Sequence, residues 1–444
     1  MSGADGMDSQ ACVEARLLLR GRVTCPRCWT SYAPESTLWI SNDHPTLSGD
    51  SRLGDVARRF RADRFTATGA AIDASGAPCS RLACPACHLE VPRVFYTTRP
   101  YFVSVFASTD ECARAFVAAM VRSLRASMPK TFGMALLDAD IGLNRPLHVL
   151  EQALAANSRD ADHFEELLLA VQGGPLSDVV SLASGDSVSL QRPFVFRADP
   201  LRATDVQVGR DAARAVSVNI GLGSDATRSS SVGTDLLETA HLGVADLQVF
   251  VYDPMRDRAG SQGTGRVLSA DHAVPQHVVL QAAADMTRLL RERRPRRPQQ
   301  CPLVIAAMPL EDWEDHPLVG LALSITSALQ SGEIARGMQA TEEASRELRA
   351  CLMRTAPELV TVAEHAWSDV TFIPVSISGT LSEGGRRDEP LVAPEGISES
   401  TCGAPQWRPL GCDVPMLVGL AKAIASLRAE AVGEDGRFFN GGQE

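Results

Sequence analysis

Two cysteine pairs carry the clearest chemistry in this chain. The first is Cys25-Pro-Arg-Cys28, followed by Trp29, and the second is Cys84-Pro-Ala-Cys87, followed by His88. A tight turn within each C-P-x-C lets both thiolates reach one ion, and two such turns complete a tetrahedral Zn²⁺ site. Four thiolates leave no open position for water, so the expected role of the metal is structural rather than catalytic. Residues 29–83 lie between the pairs, more than two metal-binding turns normally enclose, and are expected to form an inserted lobe. That lobe has Trp39, Phe60 and Phe65 for a small core, with the turn-rich stretches LSGDSRLGD and DASGAPCS. Cys79 and His88 stay open as substitute ligands. The chain has eleven cysteines, and Cys12, Cys79, Cys112, Cys301, Cys351, Cys402 and Cys412 are scattered. In a reducing compartment such residues serve packing or face solvent rather than form disulfides.

A second stretch, Tyr101 to Arg125, reads YFVSVFASTDECARAFVAAMVRSLR. Its pattern is a buried strand, a short loop and a helix, the place where a P-loop protein cradles phosphate. The loop lacks the glycines, lysine and hydroxyl that such a cradle needs. Asp138 and Asp140, in LLDADIGLN, could bind Mg²⁺ or act as an acid–base pair. The favoured reading is that they cap the following turn and helix, with Asn144 tying the loop. Asp253 in VYDP reads as a strand-end turn and His241 as a helix-start or core histidine. No Ser, His and Asp set stands in a hydrolase-like context.

The elements that must position these residues alternate in type. Apolar strand-like runs cover Phe102–Phe106, Met134–Leu137, Phe194–Phe196, Ala215–Ile220, Leu247–Tyr252, Leu303–Ala307 and Val370–Val375. Helical patterns fit Cys112–Ser127, Arg145–Ala155, Ala161–Val171, Gln276–Glu292, Leu318–Leu329, Thr341–Arg354, Pro357–Trp367 and Pro415–Arg428. Continuous apolar strands separated by helices predict a mainly parallel sheet covered on both faces, a three-layer α/β/α fold. The expected division is a flexible 1–20, a metal-binding 21–97, a large domain over 98–432 and a flexible tail, 433–444. Residues 379–409, rich in Gly, Pro, Ser and Glu, read as a flexible insertion.

The 444 residues are 45% hydrophobic and 22% charged, ordinary for a globular chain. A formal charge of −11 argues against general affinity for nucleic acid or anionic membrane. The basic run RERRPRRP, Arg291–Pro298, reads as a turn closing a helix, and the Gly-rich RDRAGSQGTGR, Arg256–Arg266, as a mobile loop. No run of eighteen apolar residues is present, so no membrane span is expected. The first twenty residues carry acids where a signal peptide starts basic, which points to the cytoplasm.

CPRCW, STLWISNDHPTLSGDSRLG, RF, AIDASG and ACPACHLEVPR together resemble the amino-terminal zinc-ribbon module of a group of large bacterial proteins. There the ribbon is joined to a GTPase-like P-loop domain of the translation-factor-related, double-GTPase-like class. The likeness continues through FVAAMVRSLRASMPKTFGMALLDADIGLNR and thins through HLGVADLQVFVYDP, PLVIAAMPLEDW and FIPVS. In register with the family's GxxxxGKS, Ala107 stands at the first glycine, Cys112 at the second, Ala113 at the lysine and Arg114 at the serine. Every diagnostic residue has changed, and Asp110 and Glu111 bring carboxylates towards the phosphate position. The DxxG element matches Val218-Asn219-Ile220-Gly221, keeping only its glycine. The guanine-reading TKxD matches Met308-Pro309-Leu310-Glu311, with Glu311 in place of the aspartate. The last base loop matches Val375-Ser376-Ile377-Ser378.

The resemblance therefore implies an inactive GTPase-like protein with structural Zn²⁺ and without bound GTP or Mg²⁺. Such a chain would act as a scaffold or regulatory partner of another protein, an active GTPase-like relative among them. Two other readings compete. One is a nucleotide enzyme with an altered site, in which Arg114 replaces the lysine and Asp138 or Asp140 recruits metal. The other is a zinc-ribbon adaptor for protein or nucleic acid, using Arg293, Arg294, Arg296 and Arg297 in the second case.

Overall fold

A computed structural model describes residues 20–42, 48–157, 177–181, 187–201, 212–221, 239–254, 274–292, 301–308, 317–378 and 407–424. The helix expected at Ala161–Val171, the loop Arg256–Arg266, the base-loop residue Glu311 and arginines 293–297 lie outside these residues. So do 1–19, most of 379–409 and the tail from 425.

The large domain is built on a seven-stranded sheet. Its strands, with a hairpin that sits beside it, are β1 Arg99–Ala107, β2 Met134–Asp138, β3 Ser177–Ser181, β4 Ser187–Gln191, β5 Phe194–Pro200, β6 Arg214–Ile220, β7 Leu247–Tyr252, β8 Leu303–Ala307 and β9 Val370–Pro374. The sheet order is β2-β5-β6-β1-β7-β8-β9, and among the described residues β3 pairs only with β4. β5 runs antiparallel to both neighbours, whereas the pairings of β1 with β6 and β7, and of β8 with β7 and β9, are parallel. All seven strands expected from the sequence are present, within a few residues at their ends.

The helices are α1 Asp110–Thr131, α2 Ile141–Asn157, α3 Ala240–Val244, α4 Gln276–Glu292, α5 Pro317–Gln330, α6 Ile334–Thr355, α7 Pro357–Ala366 and α8 Val414–Ala423. Strand alternation sorts them onto two faces. In β1, Tyr101, Val103, Val105 and Ala107 join the core with α1, α2 and α8, while Phe102 and Phe106 face α3, α4 and α7. Helices α5 and α6 contribute to both cores. α6 starts at Ile334, earlier than the expected Thr341, because Gly332, at φ +80°, turns the chain directly out of α5.

The four-cysteine lobe does not stand apart from the sheet. Its small antiparallel strands include Val23–Thr24 with Ser31–Tyr32 and Leu38–Ile40 with Leu82–Ala83. Its cysteines, Trp29 and Tyr32 belong to the same apolar cluster as Phe102 and Phe250. Trp29 meets Phe102 edge-on at 5.2 Å, and Phe95 stacks on Phe102 at 6.3 Å. Among the described residues no helix is long and apolar enough to cross a membrane.

Candidate metal centre and the strand–helix junction

Cys25, Cys28, Cys84 and Cys87 converge, with all four sulfur atoms within 4.8 Å of one another. Cys25 Sγ lies 3.8 Å from Cys87 Sγ, and Cys28 Sγ lies 3.6 Å from Cys84 Sγ. A tetrahedral thiolate centre with metal–sulfur bonds of about 2.3 Å has ligands about 3.8 Å apart. The spacing therefore fits one metal ion, and the thiols are free rather than disulfide-bonded.

Two turns of the same design build the site. Trp29 N donates to Cys25 O at 3.1 Å, and His88 N to Cys84 O at 2.9 Å. Arg27 N reaches Cys25 Sγ at 3.4 Å, and Ala86 N reaches Cys84 Sγ at 3.3 Å. The residue after each second cysteine is left-handed, Trp29 at φ 60° and His88 at φ 63°. Such a backbone is unfavourable for side chains other than glycine and persists where surrounding contacts over-determine it. Here Trp29 is held by Phe102, and His88 Nδ1 lies 3.0 Å from both carboxylate oxygens of Asp50. These contacts aim backbone N–H groups at sulfur, the support a charged thiolate cluster requires.

The donor set calls for a cation. Burial raises the Cys25 thiol well above its usual value, whereas hydrogen bonding by Cys25, Cys84 and Cys87 holds Cys28 low. A bound metal ion would let the four clustered thiolates, three of them buried, coexist. The substitute ligands are engaged elsewhere. His88 turns to Asp50, and Cys79 Sγ sits 3.4 Å from Asp73 Oδ2 and 3.6 Å from Ala77 O. Burial, and then hydrogen bonding to Asp73, raise the Cys79 thiol.

At the junction after β1 the connection to α1 is only Ser108 and Thr109. Thr109 is the N-cap, its side chain accepting from Cys112 N at 3.4 Å, and Ala113 N donates to Thr109 O at 3.3 Å. The expected helix start at Cys112 thus moves back to Asp110, because the cap lies earlier than the apolar pattern. Asp110 and Glu111 occupy the first turn, where carboxylates favour the positive helix end. Ala107, Cys112 and Ala113 are buried, and Arg114 is half-buried.

The other motif positions are also engaged. Gly221 N donates to Val105 O at 3.1 Å, and a Cβ on Gly221 would overlap the His241 ring. Packing against His241 thus accounts for that glycine. His241 is buried in the core at the start of α3, with Nδ1 2.7 Å from Ser104 Oγ. Burial pushes its pKa down to about 3, so it is neutral. Asn219 Nδ2 reaches Ser217 Oγ at 3.3 Å. After β9, Ser376 and Leu410 exchange backbone hydrogen bonds of 2.9 and 2.8 Å, and Trp407 Nε1 donates to Ile377 O at 2.7 Å.

Asp138 and Asp140 act within the fold. Asp138 receives Arg125 Nη2 at 3.1 Å and Asn144 Nδ2 at 2.6 Å, and Asp140 Oδ1 accepts from Leu143 N at 2.9 Å. Asn144 also exchanges hydrogen bonds of 2.8 Å with the Val195 backbone in both directions, tying the loop to β5. Asp253 is fixed at the end of β7 by Gln276, whose side chain accepts from Asp253 N at 3.0 Å and donates to Asp253 O at 2.6 Å.

Sequence reasoning missed the β3–β4 hairpin and Arg27. The hairpin has a readable signal, alternation in SDVVS and SVSLQ around SGD. Arg27 carries none beyond its place inside the first cysteine turn. No protein-family model and no curated protein matches the chain.

Proposed function

We propose that this chain is a GTPase-like protein that has lost nucleotide chemistry and serves as a scaffold or regulatory partner, with a zinc-thiolate ribbon as its rigid docking end. The observation that carries the reading is the two-residue junction between β1 and α1. In an open parallel sheet, ligands bind beyond the carboxyl ends of strands where the connections diverge. Here the connection from β1 leads towards the β2 edge and that from β7 towards β8, so the divergence falls between β1 and β7. A phosphate cradle needs an open loop of free amides at that point. This chain has helix from Asp110, with the Cys112 and Ala113 amides already bound to Thr109.

Zinc suits the centre because four soft thiolates in a closed tetrahedron favour it, and it would hold the two cysteine turns together without reacting. Reduced thiols also fit a reducing compartment such as the cytoplasm. The acidic chain favours a protein over a nucleic acid as partner, and an active GTPase-like relative is the kind that would use a fixed copy of its own fold.

Incubation of purified chain with Mg-GTP or Mg-ATP is expected to give no turnover and no thermal shift. A nucleotide bound at 100 times its Kd would stabilise by about 2.7 kcal/mol. Turnover that disappears in Arg114→Ala would overturn the reading in favour of an altered active site. Coexpression with neighbouring gene products should yield a stable complex on size exclusion; a chain that always elutes alone would count against the scaffold role.

A further inference from the structure

The lobe around the cysteines is basic in one stretch, where the chain as a whole is acidic. Residues 52–64, RLGDVARRFRADR, hold five arginines against two aspartates, a balance of +3 in a chain of −11. Arg59 donates to His88 O at 3.0 Å, which fastens this strand to the second cysteine turn. Arg58 and Arg61 are exposed and have no hydrogen-bond or ion-pair partner among the described residues. Arg64 donates to Asp73 O at 3.1 Å, and its one acidic neighbour, Asp63 at 4.0 Å, is itself exposed, so that pair contributes little.

Aromatic side chains stand among these charges. Trp39 pairs with Phe60 across an antiparallel ladder, and Ser41 N donates to Arg58 O at 2.9 Å, so the register runs on to Arg58. Directly opposed residues share a face, as does every second residue along a strand, which places Trp39, Phe60 and Arg58 together. Phe65 meets the Trp39 ring edge-on at 5.8 Å and is 53% exposed. Trp39 also packs against the second core, so the surface has a rigid base. An exposed ring beside unpaired guanidinium groups, on backbone that is already fixed, is the composition of a docking surface.

We propose that this face docks an acidic segment of a partner protein, with carboxylates paired to Arg58, Arg61 and Arg64 and an apolar side chain packed on Phe65. Charge complementarity sets the sign of the partner, and the planar guanidinium fork suits carboxylates. Charge also selects a peptide over a nucleic acid. The balance of +3 in residues 52–64 leaves −14 for the rest of the chain, so a polyanion longer than the patch is repelled by the remaining surface. A short acidic segment meets only the arginines. The inference rests on the scaffold reading above for the use of the surface, and it adds the chemistry of the partner.

Fluorescence anisotropy of the 444-residue chain with a short labelled peptide, Asp and Glu around one central Phe, tests this. Saturable binding that weakens with salt is expected, and none for the same peptide with Lys at every acidic position. Arg58→Glu combined with Arg61→Glu should weaken binding at least about tenfold, and Phe65→Ala several-fold. Zinc content and urea unfolding should stay unchanged, because these side chains are exposed. Should the charge reversal fail to fold, Arg58→Gln with Arg61→Gln reads the same loss. No peptide binding, or binding untouched by these variants, would overturn the proposal. Single-stranded oligo-dT bound more tightly than the peptide, and lost with the arginines, would overturn it in favour of nucleic acid. A dimer that dissociates on charge reversal would overturn it in favour of a second copy of this chain. GTP turnover by a chain that still binds the peptide here would overturn the scaffold reading alone.

Discussion

The cysteine centre and the β1–α1 junction are opposite cases of one relation between backbone and chemistry. At the centre, two turns far apart in sequence are built alike, down to a left-handed residue and an N–H aimed at sulfur, and all four donors are present. At the junction, a buried strand runs into a helix through Ser108 and Thr109 alone, which leaves no open loop of free amides. The strand and helix supply core, with Phe102, Phe106, Phe116 and Met120 fully buried. The fold needs those side chains whether or not anything binds. The cysteines also pack in the second core, but it is only as a set of four that their spacing fits one metal ion.

The largest effect is expected at the centre. Cys25→Ser should abolish metal binding and unfold the lobe at 25 °C, since structural zinc contributes about 10–16 kcal/mol in small zinc domains. Metal analysis with circular dichroism checks this, and a folded, metal-free variant would erase the contrast between the two regions. A smaller effect sharpens the reading of Gly221. Gly221→Ala should destabilise by about 1–3 kcal/mol through overlap with the His241 ring. In a double-mutant cycle with His241→Ala most of that penalty should disappear, leaving only the contact with the flexible end of Gln191. A penalty that persists would assign the glycine another role.

His241 also gives a pH signature. Its folded pKa of about 3 lies below the ordinary 6.5, so the unfolded chain binds the proton first. Its stabilisation is fully present above pH 6.5 and is lost as pH falls from there towards 3. The loss between pH 8 and pH 5.5 should be about 1.4 kcal/mol, absent in His241→Gln and measurable by urea unfolding at those two pH values. The smallest effect concerns the junction. Thr109→Ala should cost about 1 kcal/mol as a lost helix cap, with the same unfolding measurement as the check.

Much of the sheet was legible because each strand is a continuous apolar run, and two-sided burial produces that pattern whatever the order of strands. The order itself was not legible. Nothing local in Phe194–Phe196 says that β5 runs against its neighbours, and pairing with Met134–Asp138 and Arg214–Ile220 decides it. The cysteine ligands were legible because thiol spacing is a local code. The burial of Arg27 was not, since its ion-pair partner Asp178 is far away in sequence, on a hairpin that only alternation announces. The cap at Thr109 lay in plain view, but it opens α1 before the apolar periodicity starts, so the helix was expected to begin too late.

Native mass spectrometry of the purified 444-residue chain, before and after addition of Mg-GTP, reads both regions in one experiment. The account predicts a mass of the chain plus one zinc ion, unchanged by nucleotide. A chain that carries bound nucleotide, or one without metal, would contradict it.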